Sequence, residues 1–302
     1  MEIIPVVPRG WCQGVVRAIQ IAKNTAANHP NEKITMLGMI VHNRYVVDAC
    51  TELGITCLDD PNRTRLQMLE KIDSGIVIFT AHGVSDEVRR RAKEKGLLIA
   101  DATCVDVQKT HKLIEEHSRN GYVLYIGRKK HPETEGISDI SDHIFVIQDI
   151  DDLNSLPQDL SPVWITTQTT ISALDCNDLM QACKNKYPDA VSDIEICNAT
   201  LIRQKAVQNL KNIDVLIVVG DPCSNNSRQL LKIGLRSGIK KGFLLESASQ
   251  LNKEMFADAD RVAVTSGSST PDRLTSDVIK TLQKYAETGI LDICSKLSGP
   301  VL

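Results

Sequence analysis

The chain has 302 residues, 35 basic against 38 acidic side chains, a net charge of −3, and 42% of its residues are apolar. That is the make-up of an ordinary folded protein, and it excludes collagen-like, disordered and nucleic-acid-coating chains. No run approaches the roughly 18 apolar residues of a membrane span, and the start, MEIIPVVPRGWCQG, has no basic region leading into a long apolar stretch, so a soluble, cytoplasmic chain without a membrane partner is expected.

Residues 1–12 read as a short strand entering a tight loop that ends at Cys12. A helical pattern follows, with Val15, Ile19, Ala22 and Ala26 at i, i+4, i+7 and i+11. A second strand, ITMLG, closes on Gly38, and His42 and Arg44 stand four and six residues beyond it. Val46, Val47, Cys50 and Leu53 mark the next helix, and a third strand, IVIFTAHG, runs into a loop around His82. The run LLIADATC ends at Cys104, and the order then starts again. A helix and the strand YVLYIG lead to Gly127, with His131 and Glu133 beyond it; VWITTQTT surrounds Thr169, and VSDIEIC ends at Cys197. The third passage has a helical stretch carrying Ile202, Ala206, Val207 and Leu210, then VLIVVG to Gly220, Ser224 and Asn226, then RVAVTSGSST around Ser269.

Cys12, Cys104 and Cys197 are 92 and 93 residues apart, and the polar residues keep matching offsets from the three glycines. An internal repeat of this kind predicts three units, 13–103, 104–196 and 197–302, the last joined by strand 1–12. Val- and Ile-rich strands alternating with helices predict an α/β fold with mostly parallel sheets and right-handed crossovers. Ligands bind such sheets outside the carboxyl ends of the strands, where every residue singled out above is placed.

A cysteine at a helix N-terminus has its thiolate favoured by the helix dipole. Three in equivalent places, without an equally placed fourth, point to an iron–sulfur cluster with one iron lacking a protein thiolate, open to act as a Lewis acid. Zinc is the alternative, disfavoured by the absence of CxxC pairs. Cys50, Cys57, Cys176, Cys183 and Cys294 read as packing residues, and Cys223, in the polar loop GDPCSNNS, as either a fourth ligand or an oxidisable thiol. Ser224, Asn225 and Asn226, with the N–H groups of the helix they open, form a candidate anion cradle. Ser269 or Thr270 is expected to cap a helix begun by Pro271, and His42 and His82 add donors. Glu133 is either a surface glutamate at a helix start or an enclosed proton donor with a raised pKa. Arg128, Lys129 and Lys130 read as a solvated edge. Neither GxxxxGKS/T nor a well-placed GxGxxG is present, and eleven aromatic residues offer no stacking platform, so no nucleic-acid partner is expected.

The segments PRGWCQGV, VHNRYVVD, AHGVS, DATC, HPETEG, TQTT, ICxATxxRQxAV and SNNS, in that order, cover nearly the whole chain. Together they resemble the 4-hydroxy-3-methylbut-2-enyl diphosphate reductase family, also called LytB. The resemblance implies three pseudo-threefold-related α/β domains around a central 4Fe–4S cluster held by Cys12, Cys104 and Cys197. It implies reductive removal of the allylic hydroxyl of that substrate with two electrons and two protons, giving isopentenyl and dimethylallyl diphosphates and water, the last step of the non-mevalonate isoprenoid route. Glu133 would deliver protons, with Thr169 in its hydrogen-bond network and His131 beside it. His42, His82, His131, Ser224, Asn226 and Ser269, with Asn225 among them, would hold the allylic diphosphate. Ferredoxin or flavodoxin would supply electrons to a monomer or weak dimer. The chain departs from the family pattern at Val105, where proline is usual, at Lys129 and Lys130, which replace small residues, and at Cys223, Asn225 and Asn198, in place of asparagine, serine and tyrosine. These departures keep two alternatives in view: a divergent relative reducing another allylic diphosphate, or a non-catalytic iron–sulfur sensor or carrier.

Overall fold

The computed structural model describes residues 1–293 and 301–302. Cys294, expected to be a packing residue, lies outside the described residues. The strands are β1 (Glu2–Pro5), β2 (Ile34–Leu37), β3 (Ile55–Leu58), β4 (Ile76–Phe79), β5 (Leu98–Asp101), β6 (Tyr122–Ile126), β7 (Ile144–Ile147), β8 (Val163–Thr167), β9 (Val191–Ser192), β10 (Val215–Val219), β11 (Lys241–Leu245) and β12 (Arg261–Ser266). The helices are α1 (Gln13–Asn28), α2 (Arg44–Glu52), α3 (Arg65–Leu69), α4 (Asp86–Glu94), α5 (Val105–Ser118), α6 (Pro132–Glu135), α7 (Ile150–Asn154), α8 (Ala173–Lys186), α9 (Asn198–Gln208), α10 (Asn225–Arg236) and α11 (Asp272–Thr288).

The strands make three four-stranded sheets, ordered β3-β2-β4-β5, β7-β6-β8-β9 and β11-β10-β12-β1. All pairings are parallel. The order is the same each time: an edge strand, two central strands, and the strand that leads to a cysteine. Sequence patterning recovers the two central strands and the cysteine-bound strand of each sheet but misses β3, β7 and β11. Those three are edge strands with part-exposed faces, and none of them ends at a cysteine or a matched polar loop that would mark it in the repeat. Central strands β2, β4, β8 and β10 are buried along their whole length, as strands covered on both faces must be.

Two compact units are formed, one from Met1–Gln13, His42–Ala49 and Asn198–Leu302, the other from Gly14–Val41 and Cys50–Cys197. In the first, Val215, Ile217, Val219, Val262 and Val264 pack against Leu274, Val278 and Leu282 of α11. In the second, Leu37, Val77 and Phe79 pack against α3 and α4 through Met68, Leu69, Val88 and Ala92, while Val123, Tyr125 and Trp164 pack with Ile114 and Ile137. Cys50, Cys176 and Cys183 are fully buried packing residues. Burial pushes their thiols up to about 11, 12 and 11.

Helix α9 departs from its expected face. Ile202 is exposed, and the buried side chains are Thr200, Arg203, Gln204 and Val207. The polar residues are inside because Arg203 has backbone carbonyls to bind: Nη1 donates to Ala199 at 2.8 Å and Nη2 to Gly10 at 2.7 Å.

Candidate functional site

Each cysteine closes the same backbone turn. β1, β5 and β9 lead to Cys12, Cys104 and Cys197, which stand immediately before α1, α5 and α9, and all three are partly exposed. The Cys12 N–H donates to the Ser268 carbonyl at 3.1 Å, that of Cys104 to Ala81 at 3.0 Å, and that of Cys197 to Thr169 at 3.0 Å. Those acceptors lie two residues beyond the ends of β12, β4 and β8. The loop before Cys12 depends on Gly10, whose φ of +74° is strained for other residues. Its N–H donates to Ser266 Oγ at 2.8 Å, its carbonyl accepts from Arg203, and an added Cβ would collide with the Asp272 carboxylate.

Strand register corrects one equivalence expected from spacing. Phe79, Thr167 and Ser266 stand opposite Leu37, Ile126 and Val219. His82 and Ser269 therefore correspond to Thr170, while Thr169 corresponds to Ala81 and Ser268. Thr169 occupies the position whose carbonyl receives the cysteine N–H.

Glu133 is enclosed, with 1% of its surface exposed, which settles its position against the surface reading. Helix α6 begins at Pro132 with His131 as its N-cap: His131 Nδ1 accepts the Glu133 N–H at 3.2 Å. That bond leaves Nε2 as the donating nitrogen of the neutral ring. The Glu133 carboxyl receives three hydrogen bonds. Oε1 accepts from the Thr169 N–H at 2.8 Å and from the Tyr125 hydroxyl at 3.2 Å, and Oε2 accepts from Thr169 Oγ1 at 2.9 Å. Burial pushes the carboxyl up to about 7, against the lowering effect of the bonds from Thr169 and Tyr125. His82 lies edge-on to His131, ring centroids 5.7 Å apart, with Nδ1 at 3.4 Å from Thr80 Oγ1.

Sequence reasoning missed two neighbours of Glu133. Tyr125 reads as a plain core residue of a strand, and its hydroxyl has no local motif to announce it. His111 lies on α5, seven residues beyond Cys104, with its ring against Gly136 at the end of α6; burial and the nearby Arg89 hold its imidazole down to about 4.

The second set of polar loops lies in the other unit. Ser224 is the N-cap of α10, its Oγ accepting from the Ser227 N–H at 3.3 Å and the Ser227 hydroxyl at 3.1 Å. Both acceptor sites of Ser224 are thereby used and its own proton is the one left to donate. Ser227 fits against the strand ends only because residues 220 and 267 are glycines; an added Cβ at either would collide with Ser227 Oγ. Asn225 and Asn226 are buried, and both amide atoms of Asn226 are enclosed without a hydrogen-bond partner. Asp221 braces the loop, Oδ1 accepting the Cys223 N–H at 2.7 Å and Oδ2 the Arg44 N–H at 3.0 Å. The Arg44 side chain is exposed beside Asp48, unlike the enclosed Glu133 and Asn226 at the matching offset. Cys223 is exposed.

Ser269 and Thr270 do not cap α11, contrary to expectation. Their hydroxyls donate to the His42 and Val219 carbonyls, at 2.9 and 3.0 Å, and Pro271 takes the cap position before Asp272. His42 itself precedes Asn43, whose Oδ1 accepts the Val46 N–H at 3.3 Å near the start of α2.

Among the described residues no group of three His, Cys, Asp or Glu side chains is gathered to hold a single metal ion. An iron–sulfur cluster makes a different demand, because each thiolate binds its own iron. Cys12, Cys104 and Cys197 are each part-exposed and directly before a helix with the N–H fixed to a neighbouring loop carbonyl, and each is a donor of the kind such a cluster takes. Among the described residues no helix is long and apolar enough to cross a membrane.

The profile of the family described as LytB protein matches residues 3–283. Proteins of Anoxybacillus flavithermus and Geobacillus kaustophilus, each named 4-hydroxy-3-methylbut-2-enyl diphosphate reductase, are 47% identical to this chain over 289 residues, covering 94% of it and 91% of their own length. The solved structure of the E-1-hydroxy-2-methyl-but-2-enyl-4-diphosphate reductase from Plasmodium falciparum superposes with a TM-score of 0.85 at 29% identity, covering 93% of this chain and 87% of that one. A second, described as (E)-4-hydroxy-3-methyl-but-2-enyl diphosphate reductase, the terminal enzyme of the non-mevalonate pathway, gives 0.65 at 28% identity, covering 94% and 100%.

Proposed function

The chain belongs to the LytB family, and on that premise we propose that it reduces 4-hydroxy-3-methylbut-2-enyl diphosphate to isopentenyl and dimethylallyl diphosphates. The observation that carries the reading is Glu133, a fully enclosed carboxyl poised at about 7 and held by Thr169. The reaction breaks one allylic C–O bond. Two electrons enter the allyl fragment, one proton leaves with the hydroxyl as water, and the other goes to carbon. A carboxyl group titrating near neutrality can hold such a proton at working pH and release it. Thr169 Oγ1 relays it, since a hydroxyl both accepts and donates.

Cys12, Cys104 and Cys197 would hold a 4Fe–4S cluster, which when bound supplies single electrons and a Lewis-acidic iron. Ferredoxin or flavodoxin would bring those electrons, in the reducing cytoplasm that thiolate ligands need. Each unit carries donors that would suit the substrate diphosphate: the Ser224 proton, the unpartnered Asn226 amide and His42, with Asn225 at the helix start, in one, and His131 Nε2 and His82 in the other. Ser269 must turn from the His42 carbonyl to join them. Binding the diphosphate lets remote contacts position the reacting C–O bond. The identical strand order of the three sheets, with β1 in the third, supports reading the chain as repeats 13–103, 104–196 and 197–302, the last joined by strand 1–12. It would work as a monomer or weak dimer.

The test is oxidation of a reduced viologen by anaerobically reconstituted protein, with iron and sulfide measured first. Substrate-dependent oxidation yielding both five-carbon diphosphates is expected. No oxidation from cluster-loaded protein would overturn the assignment, and faster oxidation with a different allylic diphosphate would reassign the substrate.

A further inference from the structure

We propose that Tyr125 is a positioning residue for the acid: its hydroxyl keeps Glu133 Oε1 as the acceptor oxygen and so places the transferable proton on Oε2, against Thr169 Oγ1. The inference rests on reading Glu133 as the proton donor and adds which oxygen carries the proton and what decides it.

Oε1 has two donors, the Thr169 N–H at 2.8 Å and the Tyr125 hydroxyl at 3.2 Å. A backbone N–H can only donate, and with the phenol also donating both lone-pair directions of Oε1 are taken. A proton on that oxygen would face two others. Oε2 has Thr169 Oγ1 at 2.9 Å, a hydroxyl that can reverse from donor to acceptor. Protonation at Oε2 therefore keeps every bond of the cage, and the reversed threonine hydroxyl directs its own hydrogen onward.

Tyr125 is suited to hold its place. It is fully buried on β6, packed in one cluster with Ile114, Val123, Ile137 and Trp164. Room for its ring comes from Gly127, where a Cβ would stand 2.5 Å from Tyr125 Cε1. Burial and the adjacent carboxylate push the phenol well above its ordinary range, so it remains a donor. Other groups face Glu133 too. Asp106 of α5 raises its pKa, His131 Nδ1 accepts its N–H with His82 edge-on beyond, and the ring of His111 of α5 lies against Gly136 at the end of α6. Among these side chains, Thr169 and Tyr125 are the two that donate to the carboxyl oxygens.

The experiment follows the carboxyl stretch of Glu133 by infrared difference spectroscopy on cluster-loaded protein carrying carbon-13-labelled glutamate, using Glu133→Gln to assign the band, and compares the pH profile of kcat. A hydrogen bond to the carboxylate lowers its pKa, so Tyr125→Phe is expected to move the titration upward by about one unit. The alkaline limb of kcat should move with it, kcat should fall several-fold, and KM should stay. Placing 3-fluorotyrosine at position 125, a stronger donor of the same shape, should move the titration downward, and it decides the matter if Tyr125→Phe does not fold. A titration unmoved by either change overturns the proposal, even where turnover is normal. A titration that moves in a protein without substrate turnover upholds the Tyr125–Glu133 coupling while removing the functional reading.

Discussion

At the scale of single residues, Glu133 and Asn226 show opposite ways of enclosing a polar group. Glu133 is buried with its needs met, its carboxyl oxygens receiving three hydrogen bonds. Burial outweighs those bonds and leaves the group poised between its charged and neutral forms at about 7. Replacing it with glutamine keeps the volume and removes the proton. Glu133→Gln should retain full iron and sulfide content and lose at least about 100-fold in kcat, measured by viologen oxidation under substrate saturation. Asn226 is buried with both amide atoms unmatched, a state that costs roughly 1–3 kcal/mol per group. A group kept at that cost serves something other than folding. Asn226→Ala should raise KM for the diphosphate by ten-fold or more while Tm stays level or rises, because deleting an unsatisfied buried group relieves the fold. A fall of several degrees in Tm with unchanged KM would show that the amide serves packing instead.

At the scale of elements, the turn before each cysteine is the unit of construction. In the first of them Gly10 combines a φ of +74°, a carbonyl held by buried Arg203 and no room for a Cβ beside Asp272. Gly10→Ala should strain that turn by about 1–3 kcal/mol and displace Cys12. The expected outcome is a folded protein, by circular dichroism, whose iron content after anaerobic reconstitution is well below that of the parent. This turn was legible in sequence because a fixed strand-to-helix geometry demands fixed spacing, and 92- and 93-residue intervals between cysteines express it. The central strands were legible for a related reason: a strand covered on both faces is mostly Val, Ile and Leu, with only small hydroxyl residues and scarcely a charge to interrupt the run. What escaped lies where local pattern and tertiary contact part company. Edge strands β3, β7 and β11 are partly exposed and none runs into a cysteine or a matched polar loop, so even the wholly apolar IFVI of β7 carries no repeat mark. Thr169 fell one place out of phase because loop lengths vary while strand register does not. The buried face of α9 is polar because Arg203 serves the Gly10 carbonyl, a partner 193 residues away that no periodicity contains. Tyr125 reads as core by pattern and meets Glu133 only through the hydroxyl at the tip of its ring.

At the scale of the whole molecule, Glu133 and His111 set opposing responses of stability to pH. Glu133 goes from an ordinary 4.5 to about 7 on folding, so its contribution is present below 4.5 and is lost as pH rises through 7. His111 goes from 6.5 to about 4, so its contribution is present above 6.5 and is lost as pH falls through 4. Between about 4.5 and 6.5 the folded chain holds one proton on Glu133 and none on His111, and the unfolded chain the reverse. The two states bind equal numbers of protons from this pair, and its net slope there is zero. Removing one member exposes the other. In Glu133→Gln, unfolding free energy should fall as pH drops from 6.5 towards 4, at up to about 1.4 kcal/mol per pH unit relative to the parent. In His111→Gln it should fall as pH rises from 4.5 towards 7, by the same measure. Denaturant unfolding of the three proteins at half-unit pH intervals would read these slopes directly. Parallel curves for parent and variants would show that the two groups do not differ in protonation between the folded and unfolded chain. Slopes of opposite sign in the two variants would show that the glutamate carrying the reaction's proton is kept protonatable at a cost in stability above pH 4.5, which a neutral histidine beneath the same helix offsets across the acid range.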